Sequence, residues 1–464
     1  MKYVLFVLAM LAAIPGAIFC GMSRRMLAIA MVLMFIPLLD FNSTALNFIS
    51  YEFYRGTSRG MEVSLIYIIA GMLLLSFVFR KKLPPLIPDL GVKLYLAYFG
   101  ICLVSACTNN NSMVVEGVTV AEVFQSDFLL SGRMLSFFEL WKMLMLLLVF
   151  WAVYGYLDAT SRPETIIKTL AAFGIFFFLT VVRDHYAGIY QVRSVFPHQN
   201  SFAMFLMLIG PIFLSVYLVA PKNAFRTLCA LAFVCVSASI LRTYSRGAIL
   251  CYPIASFFAA LPSLFLKIHF RKFVRLVPLL MIGTLGVLLL IPRVIERFEN
   301  APTSSGDTRK MFALTAAHVI QKNPLKGIGV NNWTLYFNTH PEDQKGEEFR
   351  ESGYSETSFG IVETIYLLVA GECGIPGLVI LVSWFLYYWF LALRLVFKLA
   401  GTRFFYLPTG LLGGLTGCYL QSALEWVLKQ QINFMLLMVC FAILSWLNKN
   451  WRRLREESRA VRIL

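Results

Sequence analysis

Apolar residues along this chain fall in long unbroken blocks instead of alternating with polar ones. Such blocks lie near 3–20, 26–42, 62–79, 90–107, 136–157, 166–182, 200–220, 225–241, 247–266, 274–292, 362–393, 404–424 and 430–448. Most are close to the ~20 residues an α-helix needs to cross hydrocarbon. Backbone amides find no water there, so only helices satisfy them within a single segment. The pattern predicts an all-α integral membrane protein with about 12–13 transmembrane helices. The block 362–393 is longer than one crossing and carries Gly374-Ile375-Pro376-Gly377. It is expected to start as a half-helix, kink, and then cross.

One polar stretch of substantial length interrupts the blocks, at 293–361. It divides the chain into a bundle, 1–292, of about ten spans, the loop itself, C-terminal helices over 362–448, and a basic tail, 449–464. Inside the loop, Ser304-Ser305-Gly306-Asp307 supplies a cap and Asn323-Pro324 a stop. Between them Phe312, Ala316, Val319 and Ile320 form one stripe, so an amphipathic helix is expected there.

Composition agrees. Of 464 residues, 59% are hydrophobic and 14% charged, and mean hydropathy is +0.72, far from a soluble domain. The net charge of +16 changes the picture only through its placement. Arg24 and Arg25, Arg80 to Lys82, Lys222 and Arg226, Lys267 to Arg275, Arg394 to Arg403 and the tail occupy alternate connections. They put those connections and the C-terminus in the cytoplasm, and the long loop outside. The basic balance is thus a topology signal, and no basic, aromatic-interleaved domain exists to bind nucleic acid. The nine cysteines lack metal spacing and read as small buried hydrophobes. The first block reads as a retained span, since Phe19 stands before Cys20 where a lipoprotein signal needs a small residue.

The opposite connections contain Arg55, Arg59, Arg133, Arg183, Arg193, Arg242 and Arg246, and no lysine. Arginine on that side opposes the orientation bias. Two readings stand: planar forks for phosphate, or pairing with Glu52, Glu62, Asp184 and the outer leaflet. In the loop, Arg309 and His318 are nine residues apart, which at ~100° per residue puts them on opposite faces. Arg309 lies nearer the apolar stripe and is the substrate-facing candidate; His318 reads as solvated. Glu425 with Lys429, and Glu139 with Lys142, have the spacing of pairs that neutralise each other within a helix. Trp333 and Tyr336 are open to sugar stacking or interfacial anchoring. Five histidines without ligand spacing predict no metal site.

Several patterns then occur in order: Phe196-Pro197-His198-Gln199-Asn200-Ser201, Thr243-Tyr244-Ser245-Arg246-Gly247, and Gly306-Asp307-Thr308-Arg309. After them come Asn323-Pro324-Leu325-Lys326-Gly327-Ile328-Gly329-Val330-Asn331-Asn332-Trp333 and Glu363-Thr364-Ile365-Tyr366-Leu367, leading into Glu372-Cys373-Gly374. The series resembles the O-antigen ligase and polymerase family of bacterial membrane glycosyltransferases, over roughly residues 190–380. The resemblance implies metal-independent, cofactor-free transfer of a glycan from a polyprenyl-diphosphate carrier to a hydroxyl of a glycan or lipid-linked sugar acceptor. The implied place is the outer side of a bacterial inner membrane. It carries the diphosphate-binding arginines onto Arg246 and Arg309. The family's histidine is replaced by Glu363, with Thr364 where asparagine is usual. Glu363 is then a general base, or else a carboxylate favoured by a helix start. His198 and Asn200 are candidate sugar or phosphate contacts, or plain helix-start residues. Arg193, Asn331 and Asn332 complete the expected substrate contacts.

The residues point the same way without the family. A site outside the membrane has no nucleotide sugars and the chain has no DxD motif, so a donor there must be lipid-linked, and guanidinium groups would stabilise its departing diphosphate. The rival from another class is a transporter or flippase of a lipid-linked or anionic solute, which should show repeated halves and broken helices at the midplane.

Overall fold

The computed structural model describes residues 2–40, 44–50, 58, 60–109, 132–266, 274, 277, 303–345 and 360–463. Among these, nine helices are long and apolar enough to cross a membrane. They are α1 (Lys2–Met22), α4 (Leu90–Thr108), α5 (Gly132–Thr160), α6 (Pro163–Tyr186), α7 (Gln199–Val219), α8 (Ala224–Arg242), α9 (Arg246–Phe265), α12 (Ile365–Lys398) and α14 (Gln431–Ile463). Three shorter helices, α2 (Arg24–Phe35), the apolar α3 (Leu65–Phe79) and α13 (Tyr406–Ser422), fall on three further predicted spans. The block 274–292 lies outside the described residues, apart from Val274 and Val277. The all-α membrane fold is as the apolar blocks predict.

Boundaries differ where local chemistry intervenes. Ser23 caps α2, its side chain accepting from the amides of Arg25 and Met26. Pro37 cannot extend that helix, which tightens into a 3-10 turn over Ile36–Asp40. An antiparallel pair, β1 (Ala45–Ser50) and β2 (Gly60–Ser64), precedes α3 in register Ala45↔Ser64 and Leu46↔Val63; block periodicity does not predict it. The basic tail is no separate element, because α14 continues through it to Ile463.

At the centre stands α7, 89% buried over its apolar window, whereas α1 is only 17% buried and is the most lipid-exposed of the nine spans. Glycines let α13 approach its neighbours closely. A Cβ on Gly410 or Gly414 would strike the α7 backbone at Ile212 or Leu208, and one on Gly413 would strike Ala255 of α9. Without a hydrophobic force between helices in lipid, such small-residue contacts are what allow tight association.

The predicted break in α12 is present. Gly374 has φ 72 and ψ −178 inside the helix, a left-handed-side conformation that a Cβ would strain. The freed backbone is bonded by the segment ahead of it. Ile328 N–H donates to Gly371 O at 2.9 Å, Gly329 N–H to Glu372 O at 3.1 Å, and Ile375 N–H to Pro324 O at 2.8 Å. Contact is so close that a Cβ on Gly327 would lie 2.3 Å from the Glu372 carbonyl.

The predicted cytoplasmic connections meet at one end of this bundle. Lys82 and Lys449 contact Asp158 at 3.1 and 3.4 Å, Arg453 donates to Ser161, Lys398 lies over Trp451, and Arg403 reaches Glu457. Since α12 runs from Thr364 to that end, the Glu363 cluster sits at the other.

Candidate active site

The helix expected from the loop stripe is α10 (Thr303–Lys322). Phe312, Ala316 and Val319 are buried as the stripe requires, joined by Met311, while Ile320 is half-buried. They form a core of their own with Ile328, Trp333, Tyr336, Phe337, Ile361, Val362 and Leu368. Trp333 and Tyr336, on the short α11 (Trp333–Thr339), are therefore interior residues, 1% and 7% exposed, and neither stacks in the open nor anchors at an interface.

This small core holds α10 so that Arg309 faces the bundle. Its Nη2 is 2.9 Å from Oε1 of Glu425 and 3.5 Å from Oε2 of Glu363. Glu363 immediately precedes the α12 N-cap, Thr364. Glu425 belongs to the connection between α13 and α14 and is 4% exposed. Burial, then repulsion from Glu363, pushes the Glu425 carboxyl up to about 7, against the opposing pull of Arg309 and a hydrogen bond with Asn200. Arg309 thus faces two carboxylates, and 39% of its side chain remains exposed.

Two more elements reach the same place. Asn200 stands in the first turn of α7, where His198 is the N-cap: its Nδ1 accepts from Asn200 N–H at 3.2 Å. Arg246 opens α9, and a Cβ on its neighbour Gly247 would lie 3.3 Å from Leu424, the residue before Glu425. Beside it, the hydroxyl of Ser245 and the amide of Gln421 are buried without a hydrogen-bond partner among the described residues, which in a finished interior is unusual.

Other expected contacts fall elsewhere. Asn331 and Asn332 are 0% exposed. Asn331 accepts from Ser58 N–H and donates to Ser58 O and Leu135 O, and Asn332 donates to Gly132 O, Ser136 and Val330 O. These amides tie the loop to the start of α5, beneath the arginine. Arg193 is exposed and donates to Pro197 O. His318 contacts Asp343 at 3.4 Å, which Lys322 also binds at 2.9 Å, so it helps close the loop. Of the remaining outer arginines, Arg183 pairs with Asp184, Arg133 donates to Asn109 O, and Arg242 meets Tyr244 and His185; Arg55 and Arg59 lie outside the described residues.

Below this layer lies a second cluster. Lys142 binds Glu139 at 2.7 Å and the Lys429 carbonyl at 3.0 Å, while Lys429 Nζ binds Glu372 at 2.5 Å. Glu139 and Lys142 pair as their spacing predicts. Glu425 and Lys429 do not: the stretch holding them is a loop with a 3-10 turn, Val427–Lys429, and it sends the two side chains to different partners. The span limits 404–424 and 430–448 already put Glu425 in a connection on the Arg309 side; that was the signal available for it.

Among the described residues no group of three or more His, Cys, Asp or Glu is placed to hold a metal ion. Residues 231–382 match the family model described as O-antigen ligase, a segment that contains Arg246, Arg309 and Glu363 but not His198, Asn200 or Glu425. No curated protein matches the chain. The match supports a glycosyltransferase-like function in surface polysaccharide for this multi-pass membrane protein, and with it the assignment of the chain to the O-antigen ligase/polymerase family.

Proposed function

We propose that the chain transfers a glycan from a polyprenyl-diphosphate carrier to an acceptor hydroxyl at the outer side of a bacterial inner membrane. The observation that carries the reading is the half-exposed Arg309 guanidinium between Glu363 and Glu425, with the Arg246 helix start packed beside Leu424. The acceptor oxygen attacks the anomeric carbon, the bond from that carbon to the diphosphate oxygen breaks, and the hydroxyl proton passes to the Glu363 carboxylate. Arg309 and Arg246 bind the departing polyprenyl diphosphate as charge develops on it, a role suited to a preorganised fork. Glu425 orients Arg309, and the unsatisfied Ser245 and Gln421 groups offer hydrogen bonds to sugar or bound water. Asn200 and His198 border the same space; Arg193 is a peripheral contact at most, and the buried Asn331 and Asn332 support the site from below.

The loop 293–361 is then extracytoplasmic and the C-terminus cytoplasmic, in keeping with the lysine-rich connections gathered at the opposite end. The division 1–292, 293–361, 362–448 and 449–464 corresponds to bundle, loop, closing helices and cytoplasmic extension. The test is conversion of lipid-linked glycan by purified protein in detergent, where no transport can occur. Product should form, and Glu363→Gln should lose at least about 100-fold in turnover. Absence of product with competent donor and acceptor would favour the transporter; unchanged turnover in the variant would remove Glu363 as the base.

A further inference from the structure

The end of the bundle opposite Arg309 contains a cavity of about 330 Å³ that the transfer reaction does not use. It is lined by Gly21, Arg24, Phe77, Arg80, Lys82, Pro84, Gly155, Asp158 and Ala159. Three elements enclose it: the corner between α1 and α2, the turn after α3, and the end of α5. Small residues make the room. A Cβ on Gly155 would lie 2.4 Å from the Phe77 ring, and one on Gly21 would lie 2.9 Å from Phe79 Cβ.

Three cations and one carboxylate line it. Arg80 donates from Nε and Nη2 to Cys20 O at 3.2 and 3.0 Å, which holds its guanidinium at the last turn of α1. Lys82 is brought over the cavity by a sharp reversal in which Lys81 adopts φ 52 and Lys82 N–H donates to Phe77 O. Asp158 is the one carboxylate in the lining, and Lys82 and Lys449 both contact it. Among the described residues neither Arg24 nor Arg80 forms an ion pair. Partial burial, and after it repulsion from Arg24, lowers the Arg80 guanidinium below its ordinary value. Two like charges thus border the same cavity.

Exposed apolar side chains stand near the cavity in sequence and space. Phe79, beside Gly21, is 49% exposed, and Phe19 and Met22 on α1 are 58% and 81% exposed. On the least buried of the nine spans, these side chains form an apolar wall next to the cations. A soluble anion has no use for that wall, whereas a phosphodiester with acyl chains matches both parts.

We propose that this cavity binds the headgroup of an anionic phospholipid, its phosphate between Arg24 and Arg80 and its chains along Phe19, Met22 and Phe79. The site is independent of the transfer reaction. Full-length protein in detergent, mixed with equal amounts of phosphatidylglycerol and phosphatidylcholine, should retain phosphatidylglycerol in native mass spectrometry at least fivefold over phosphatidylcholine. Arg24→Gln should abolish that preference while Arg25→Gln, next in sequence but outside the lining, keeps it. Arg80→Gln also loosens Cys20, so Arg24→Gln is the decisive variant. Equal retention of both lipids, or equal loss in the Arg25 control, would overturn the site. Displacement of phosphatidylglycerol by millimolar inorganic phosphate would show a free-anion site and overturn the lipid assignment.

Discussion

Two clusters of ionised side chains lie one above the other at the same end of this bundle, and they are built on opposite plans. The lower one sets Glu139 and Glu372 against Lys142 and Lys429, two charges of each sign, all 7% exposed or less. The upper one sets Arg309 between Glu363 and Glu425, with the Arg246 helix start beside them, and leaves more than a third of the Arg309 side chain open. Charges removed from water cost several kcal/mol each unless paired well, and the lower cluster meets that condition. The upper one keeps its arginine partly in water, so that guanidinium remains accessible to something else. The connection between α13 and α14 links the two: Glu425 goes up and Lys429 goes down.

Removing one member of the balanced cluster should have the largest effect. Lys429→Met strands Glu372 beside the α12 break and should destabilise the protein by about 3–5 kcal/mol, read as a lower midpoint of thermal unfolding in detergent. Adding Glu372→Gln should recover a good part of it. If the single and double variants unfold alike, the pair is not what holds that connection. Next comes Arg309→Lys, which keeps the charge but loses the fork. Transfer should drop by about 10²-fold, with the unfolding midpoint nearly unchanged because the group is half exposed; a fall in stability as large as that of Lys429→Met would erase the contrast between the clusters.

The smallest effect, and the one that resolves the upper cluster, concerns pH. Glu425 titrates at about 7, raised from 4.5 by burial and by Glu363. Its preference for the proton favours the folded state below pH 4.5, and that contribution is lost as pH rises through 7. The ion pair that orients Arg309 forms over the same interval, so turnover should climb severalfold between pH 6 and 8. Glu425→Gln should flatten that limb; a limb of the same position in the variant would assign it to another group.

Much of the architecture was readable from local pattern, because lipid and water impose different requirements on each stretch. Apolar blocks located the spans, Gly374 marked the break, and Phe312, Ala316 and Val319 identified the buried face of α10. Arg309 was picked out by its place beside the apolar stripe and by the family resemblance, Glu363 by the resemblance alone, and the two do meet. Glu425 was missed because a four-residue spacing to Lys429 has a sufficient local explanation if the segment is helical, although the span limits 404–424 and 430–448 leave both residues in a connection. Asn331 and Asn332 show the converse: a polar pair in a loop motif suggests ligand contacts, whereas in the structure their amides bond Ser58, residues 132–136 and Val330. Pairings of that kind depend on the assembled bundle and leave no periodic trace.

The seal between Pro324–Gly329 and the broken helix also bears on how the protein is made. During synthesis this segment emerges before residues 371–375, the surface it bonds to, so the loop cannot dock until α12 is in the membrane. Arg309 waits longer still, since Glu425 follows α13 and its anchor Lys429 sits at the threshold of α14. A nascent chain therefore cannot bring Arg309, Glu363 and Glu425 together until α14 has followed α13 into the membrane.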